Sequence, residues 1–284
     1  MTLATTREAI GEAPNPLGLE GLEFVEYETT KPQALGQVLE AMGFRPVARH
    51  RSREVLLYRQ GDMNIVVNAH HATDETPVLS AFALRVRDAA AAYERAIDRG
   101  AWPVPVNVKP MELHIPAIHG VGASRIYFVD RWREFSIWDV DFVPIPTVEK
   151  RPPAVAGMHW FGLVQYIGLS RMEDWTEFYA ELFGWRALPD ERRFGIMPSG
   201  RLLQSPDGLM LQLVEPEADA ADAQQEESLQ RVGFGVSDVL AAVKELRGRG
   251  VEFVESEGVH SESRGALTRS QLGSVMFELV KKAT

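Results

Sequence analysis

Two short stretches decide the fold: Glu40-Ala41-Met42-Gly43-Phe44-Arg45 and, about half the chain later, Glu181-Leu182-Phe183-Gly184-Trp185-Arg186. Each reads as the end of an amphipathic helix stopped by glycine, followed by an aromatic residue and an arginine that open a strand. A second pair has the same grammar. Ala91-Ala92-Tyr93-Glu94-Arg95-Ala96-Ile97-Asp98-Arg99-Gly100 precedes Ala101-Trp102-Pro103-Val104, and Ala241-Ala242-Val243-Lys244-Glu245-Leu246-Arg247-Gly248-Arg249-Gly250 precedes Val251-Glu252-Phe253-Val254. A glycine in the left-handed region closes a helix without a Cβ clash, so Gly43, Gly100, Gly184 and Gly250 are given a structural role and no chemistry.

The repeat implies four units, at about 19–70, 79–145, 157–215 and 229–282. Each opens on an alternating strand: Leu22–Glu28, Ala81–Val86, Met158–Tyr166 and Leu229–Val236. One helix and further strands follow, among them Glu54–Arg59, Asn64–Asn68, Ile126–Val129, Phe135–Val140 and Leu209–Val214. A unit with one helix and several antiparallel strands buries one sheet face, so two units must pair. The expected fold is α+β: four βαβββ units paired into two domains with curved antiparallel sheets, each around a cavity. The expected division is an N-terminal extension over 1–18, a non-metal domain over 19–146, a Pro-rich linker over 147–156, and a metal-bearing domain over 157–284. Prolines from Pro144 to Pro153 remove backbone donors and favour extended chain, as a linker requires.

Composition narrows the function. The chain has 284 residues, 45% of them hydrophobic, a formal net charge of -10 and no cysteine. Thiolate metal sites, thiol nucleophiles and disulfides are excluded. No concentrated basic run exists to neutralise phosphates, which argues against nucleic acid. Residues 1–16 lack a basic segment leading into an apolar core, and no apolar run approaches a membrane span. The expectation is a cytoplasmic protein without membrane or nucleic-acid partners, with a homo-oligomer left open.

Of the seven histidines, only His159 falls inside a well-defined opening strand. Alternation puts it on one face with Phe161, Leu163 and Gln165. Glu278 lies in the apolar strand Val275-Met276-Phe277-Glu278-Leu279-Val280, sharing a face with Met276 and Val280, and carboxylates are rarely buried without a partner or a metal. The repeat pairs Gln212 with Glu278, and His159 with Arg231, so these four polar groups converge on one cavity. They permit a metal site, and equally an Arg231 to Glu278 ion pair with no metal. His70 and His71, His114, His119 and His260 read as structural or incidental, with His260 the exception to watch because it lies in the metal-bearing half.

The sequence resembles the 4-hydroxyphenylpyruvate dioxygenase family of the vicinal oxygen chelate (glyoxalase and bleomycin resistance) superfamily. In the first half the resemblance runs through Pro16–Glu26, Met42-Gly43-Phe44, Leu57–Gly61, Phe82–Val86, Pro110–Leu113 and Ile137–Val143. In the second it rests on Arg171–Tyr179, Ser205-Pro206-Asp207-Gly208 and Phe277-Glu278-Leu279-Val280. The resemblance implies a non-haem iron oxygenase taking an aromatic 2-oxo acid and dioxygen, with Fe(II), or another divalent metal, held by two histidines and a glutamate. By motif, His159 matches the first histidine and Glu278 the glutamate, while Arg231 stands at the second histidine. Arginine has no lone pair to give a metal, so Gln212 is the candidate third ligand and Arg231 a partner for the substrate carboxylate. A divalent-metal lyase or isomerase, and a non-catalytic small-molecule-binding relative, are the alternatives.

Overall fold

The computed structural model describes residues 15–70, 72–105, 112–189, 200–216, 226–254 and 265–282. His71, His260 and most of the segment 255–267 fall outside them. In chain order the elements of the first half are β1 (Leu22–Glu28), α1 (Pro32–Ala41), β2 (Arg45–His50), β3 (Val55–Gln60), β4 (Met63–Asn68), β5 (Val78–Arg85), α2 (Ala89–Asp98), β6 (Ala117–His119), β7 (Arg125–Val129), α3 (Ile137–Asp141) and β8 (Phe142–Pro144). The second half has β9 (His159–Tyr166), α4 (Met172–Phe183), β10 (Arg186–Ala187), β11 (Arg201–Gln204), β12 (Met210–Val214), β13 (Ser228–Val236), α5 (Val239–Gly248), β14 (Gly265–Leu267) and β15 (Phe277–Lys281).

The expected α+β architecture is present, but the sheets are mixed rather than antiparallel, because each unit's last strand returns parallel to its first: β4 to β1, β7 to β5, β12 to β9 and β15 to β13. One sheet has the order β6-β7-β5-β1-β4-β3-β2-β8 and the other β10-β11-β12-β9-β13-β15-β14. The first and third units are complete βαβββ motifs. Among the described residues, the second and fourth reduce their first return strand to an isolated bridge, Pro103 to Ile118 and Phe253 to Thr268. The four stop glycines all have positive φ: 100° at Gly43, 86° at Gly100, 72° at Gly184 and 91° at Gly250.

Both sheets put their helix-side faces into one continuous apolar core. Phe44 meets Phe234 with ring centroids 5.9 Å apart, and Phe128 meets Phe183 at 6.1 Å, so each half closes the other. The opposite, concave faces are lined separately, by Phe24, Val66 and Trp138 in the first sheet and by Phe161, Leu202, Met210 and Val280 in the second.

Two expectations fail locally. Phe135–Val140 is no strand: Ile137–Asp141 is a short helix begun by Ser136, whose side chain and that of Asp139 form a reciprocal capping box. The alternation expected from His159 to Gln165 is broken by a bulge at Phe161, because Phe234 pairs with Trp160 while Gly233 pairs with Gly162. Phe161 consequently lies on the concave face. Leu163 and Gln165 point to the helices, where Gln165 accepts a hydrogen bond from the Tyr179 hydroxyl at 2.9 Å.

Candidate functional site

The second sheet's concave face is built by β12, β9, β13 and β15. On β15 the core takes Phe277 and Leu279, which leaves Glu278 and Val280 on the concave side; on β13 it takes Val232 and Phe234, which leaves Arg231, Gly233 and Gly235. Glu278 is 1% exposed and Arg231 3% exposed, so both charges are removed from water. They face one another, with Arg231 Nε 3.4 Å from Glu278 Oε2. Each is the other's compensation, since an ionised side chain buried alone would shed its charge or unfold its surroundings.

Register places the remaining candidates. Gln212 is buried on the same face, opposite Val164, which is itself opposite Arg231. That puts Gln212 two strand spacings from Arg231, about 10 Å along the sheet. His159 is exposed at the start of β9 and pairs with Gly235, one row beyond the Gly233 that pairs with Glu278. A Cβ on Gly235 would stand 2.4 Å from His159 Nε2, so the imidazole lies over that glycine, and its Nδ1 is 3.3 Å from the Gly157 carbonyl. His159 and Arg231, which the repeat gives matching places on the opening strands β9 and β13, are not cross-strand neighbours: the residue opposite Arg231 is Val164.

Gly162 and Gly233 face each other beside Glu278, so that row carries no side chain between Met210 and the carboxylate. A Cβ on Gly162 would sit 2.2 Å from the Met210 carbonyl oxygen, which forbids any larger residue there. The signal was visible as a glycine inside each of two opening strands, where glycine commonly marks close approach of backbone or ligand.

Comparison with known proteins bears on this arrangement. The family model for the N-terminal part of hydroxyphenylpyruvate dioxygenase matches residues 13–143, and the glyoxalase/bleomycin resistance protein/dioxygenase superfamily model matches 159–268. A 4-hydroxyphenylpyruvate dioxygenase of Pseudomonas sp. (strain P.J. 874) is 34% identical over 261 residues, which is 84% of this chain and 72% of that protein. The chain belongs to the 4-hydroxyphenylpyruvate dioxygenase family. A 3-dehydroshikimate dehydratase of Pseudomonas aeruginosa is also 34% identical, over 86% of this chain, but the match spans only 41% of that longer protein. In fold, the 4-hydroxyphenylpyruvate dioxygenase family member described here superposes on a 4-hydroxymandelate synthase variant from Streptomyces coelicolor with TM-score 0.73 at 17% identity, covering 93% of each chain. It also superposes on a xylose isomerase-like TIM barrel/4-hydroxyphenylpyruvate dioxygenase fusion protein with TM-score 0.72 at 24% identity, covering 98% of this chain and about half (52%) of that one.

The metal set implied by the family does not fit the residues as they stand. Among the described residues no three His, Asp or Glu side chains are grouped so that they could hold a metal ion. The glutamate that would bind metal is engaged by a guanidinium, which cannot coordinate a cation. The arrangement offers a buried, oriented cation–anion pair next to a strip of bare backbone. Arginine matches a carboxylate with a two-pronged hydrogen-bond fork, and a carboxylate accepts from a hydroxyl or enol, so a pair of this kind has the chemistry to recognise a small acid.

Proposed function

We propose that this protein is a 4-hydroxyphenylpyruvate dioxygenase-like oxygenase that takes an aromatic 2-oxo acid on the concave face of its second sheet. The observation that carries this reading is the relation to two named dioxygenases, at 34% identity over 72% of one and 32% over 76% of the other. The substrate named for those relatives is an aromatic 2-oxo acid. The guanidinium of Arg231 is the partner for its carboxylate, and the row bared by Gly162 and Gly233 gives the ligand access to backbone. Fe(II), or another divalent metal, would be held by His159, Glu278 and Gln212 only after Arg231 had left Glu278 and His159 had approached from the neighbouring row.

The Arg231–Glu278 pair favours a second reading: a relative that binds the same class of acid without a metal. One experiment separates the two. The full chain is supplied with Fe(II), desalted and assayed for bound iron and for oxygen uptake with 4-hydroxyphenylpyruvate. Stoichiometric iron and uptake matched to substrate loss support the oxygenase. Saturable binding with neither iron nor uptake supports the metal-free reading.

A further inference from the structure

The first sheet repeats the strand pattern of the second: β4 parallel to β1, β1 antiparallel to β5, β5 parallel to β7, as β12, β9, β13 and β15 are arranged. The two frames align through the helix caps, since Ala83 and Gly233 each stand five residues before a capping aspartate, Asp88 and Asp238. Ala83 pairs with Tyr127 where Gly233 pairs with Glu278. A phenol thus occupies the place of the second sheet's buried carboxylate, and the concave face around it encloses a cavity of about 280 Å³.

The cavity's chemistry differs from that of its counterpart. Its walls are aromatic: Phe24 lies 5.5 Å from Trp138 and 5.7 Å from Tyr127, and Phe142 lies 5.2 Å from Trp138. Three carboxylates line it, Glu26, Glu112 and Asp141, against two guanidiniums, Arg53 and Arg125. Both guanidiniums already serve carboxylates: Arg53 Nε is 3.2 Å from Glu112, and Arg125 holds Glu28 and lies 3.4 Å from Glu26. Among the described lining residues both cations are thus already engaged by carboxylates. Glu26 is fixed by Asn68, which donates to it at 2.7 Å. His50 lies against Phe142, and its Nδ1 accepts from the Ser52 amide at 3.2 Å. Burial lowers the pKa of His50 against the opposing pull of Asp141, so the ring is neutral near pH 7 with its proton on Nε2. Burial, and next Glu26, raise the Tyr127 phenol, which therefore stays protonated and available as a donor.

We propose that the concave face of the first sheet binds an uncharged, hydroxylated aromatic ring of the dihydroxybenzene class. Tyr127 and His50 donate to its hydroxyls, Glu26 accepts from them, and Phe24 and Trp138 pack on the ring. Flat apolar walls with a few convergent polar groups are how small-molecule sites fix orientation. The charge balance of the described lining selects against carboxylated rings, because a carboxylate placed beside Glu26 and Asp141 would be repelled while Arg53 and Arg125 are engaged by Glu112, Glu26 and Glu28.

Titration of catechol and of benzoate, a ring of similar size bearing a charge, into the full chain carrying Arg231→Met/Glu278→Leu, which removes the acid site proposed on the second face, tests this by calorimetry. Catechol is expected to saturate below about 10 mM and benzoate to bind at least tenfold more weakly. Tyr127→Phe, which keeps the ring and removes one hydrogen bond, weakens catechol roughly three- to tenfold. Val66→Phe, which fills the cavity, abolishes binding in a protein whose circular dichroism is unchanged. Failure of catechol to saturate, benzoate binding as tightly, or indifference to Tyr127→Phe overturns the proposal. The Tyr127→Phe comparison stands even if Val66→Phe does not fold.

Discussion

Arg231 and Glu278 concentrate the question this protein raises. Two opposite charges, both almost wholly buried, meet on the face where the family resemblance implies a metal. Arg231→Met takes away the guanidinium that faces the buried carboxylate of Glu278, and is expected to cost about 3–5 kcal/mol in urea unfolding. The double variant Arg231→Met/Glu278→Leu, with apolar groups of similar volume, is expected to recover most of that loss. Equal destabilisation by the single and double variants would mean that the pair does not act as a unit. At this scale the sequence was half legible. That Glu278 is buried could be read from its apolar neighbours, and the possible pairing with Arg231 from the repeat. That His159 stands opposite Gly235 could not, because a bulge at Phe161 sets that register without changing composition. The structure adds the facing glycines Gly162 and Gly233, whose use depends on a partner strand far away in sequence.

At the scale of elements the repeat did most of the work. Helix ends, stop glycines and opening strands were all readable, since each follows from local backbone chemistry. Asp88 and Asp238 show how closely the halves copy one another: each caps its helix by accepting from the amide three residues on, Ala91 at 2.9 Å and Ala241 at 3.0 Å. Replacing Asp238 with Ala is expected to lower stability by about 1 kcal/mol, while Asn, which caps equally well, leaves it nearly unchanged. The midpoint of urea unfolding measures both. Phe135–Val140 was misread because apolar residues in a short run fit a strand and one turn of helix alike. The Ser136 and Asp139 capping box decides the matter, at a position where periodicity has too few residues to speak.

For the whole molecule, the shared core sets the pH behaviour. Burial raises the pKa of Tyr27, which lies under the first sheet, and of Tyr179 on α4, where the hydrogen bond to Gln165 only partly opposes it. A phenol whose folded pKa exceeds its unfolded value of about 10 holds its proton more tightly when folded, so its stabilising effect is intact below that pH and fades above it. Thermal melts should show a falling transition temperature as pH rises past about 10, with tyrosinate absorbance from these groups appearing only as the chain unfolds. Tyrosinate forming ahead of unfolding, in full, would contradict the packing described. The two concave faces stand outside this core, and there the halves diverge: one carries Tyr127 and a mixed polar wall, the other a buried ion pair.

The claim on which both functional readings depend is that the second face takes an aromatic 2-oxo acid through Arg231. Calorimetric titration of 4-hydroxyphenylpyruvate into the full chain and into Arg231→Met/Glu278→Leu tests it most directly. The expected result is saturable binding to the unmodified protein, weakened about ten- to a hundredfold in the double variant by loss of a charged hydrogen-bond partner. Absence of saturable binding, or equal affinity in the two proteins, would contradict it.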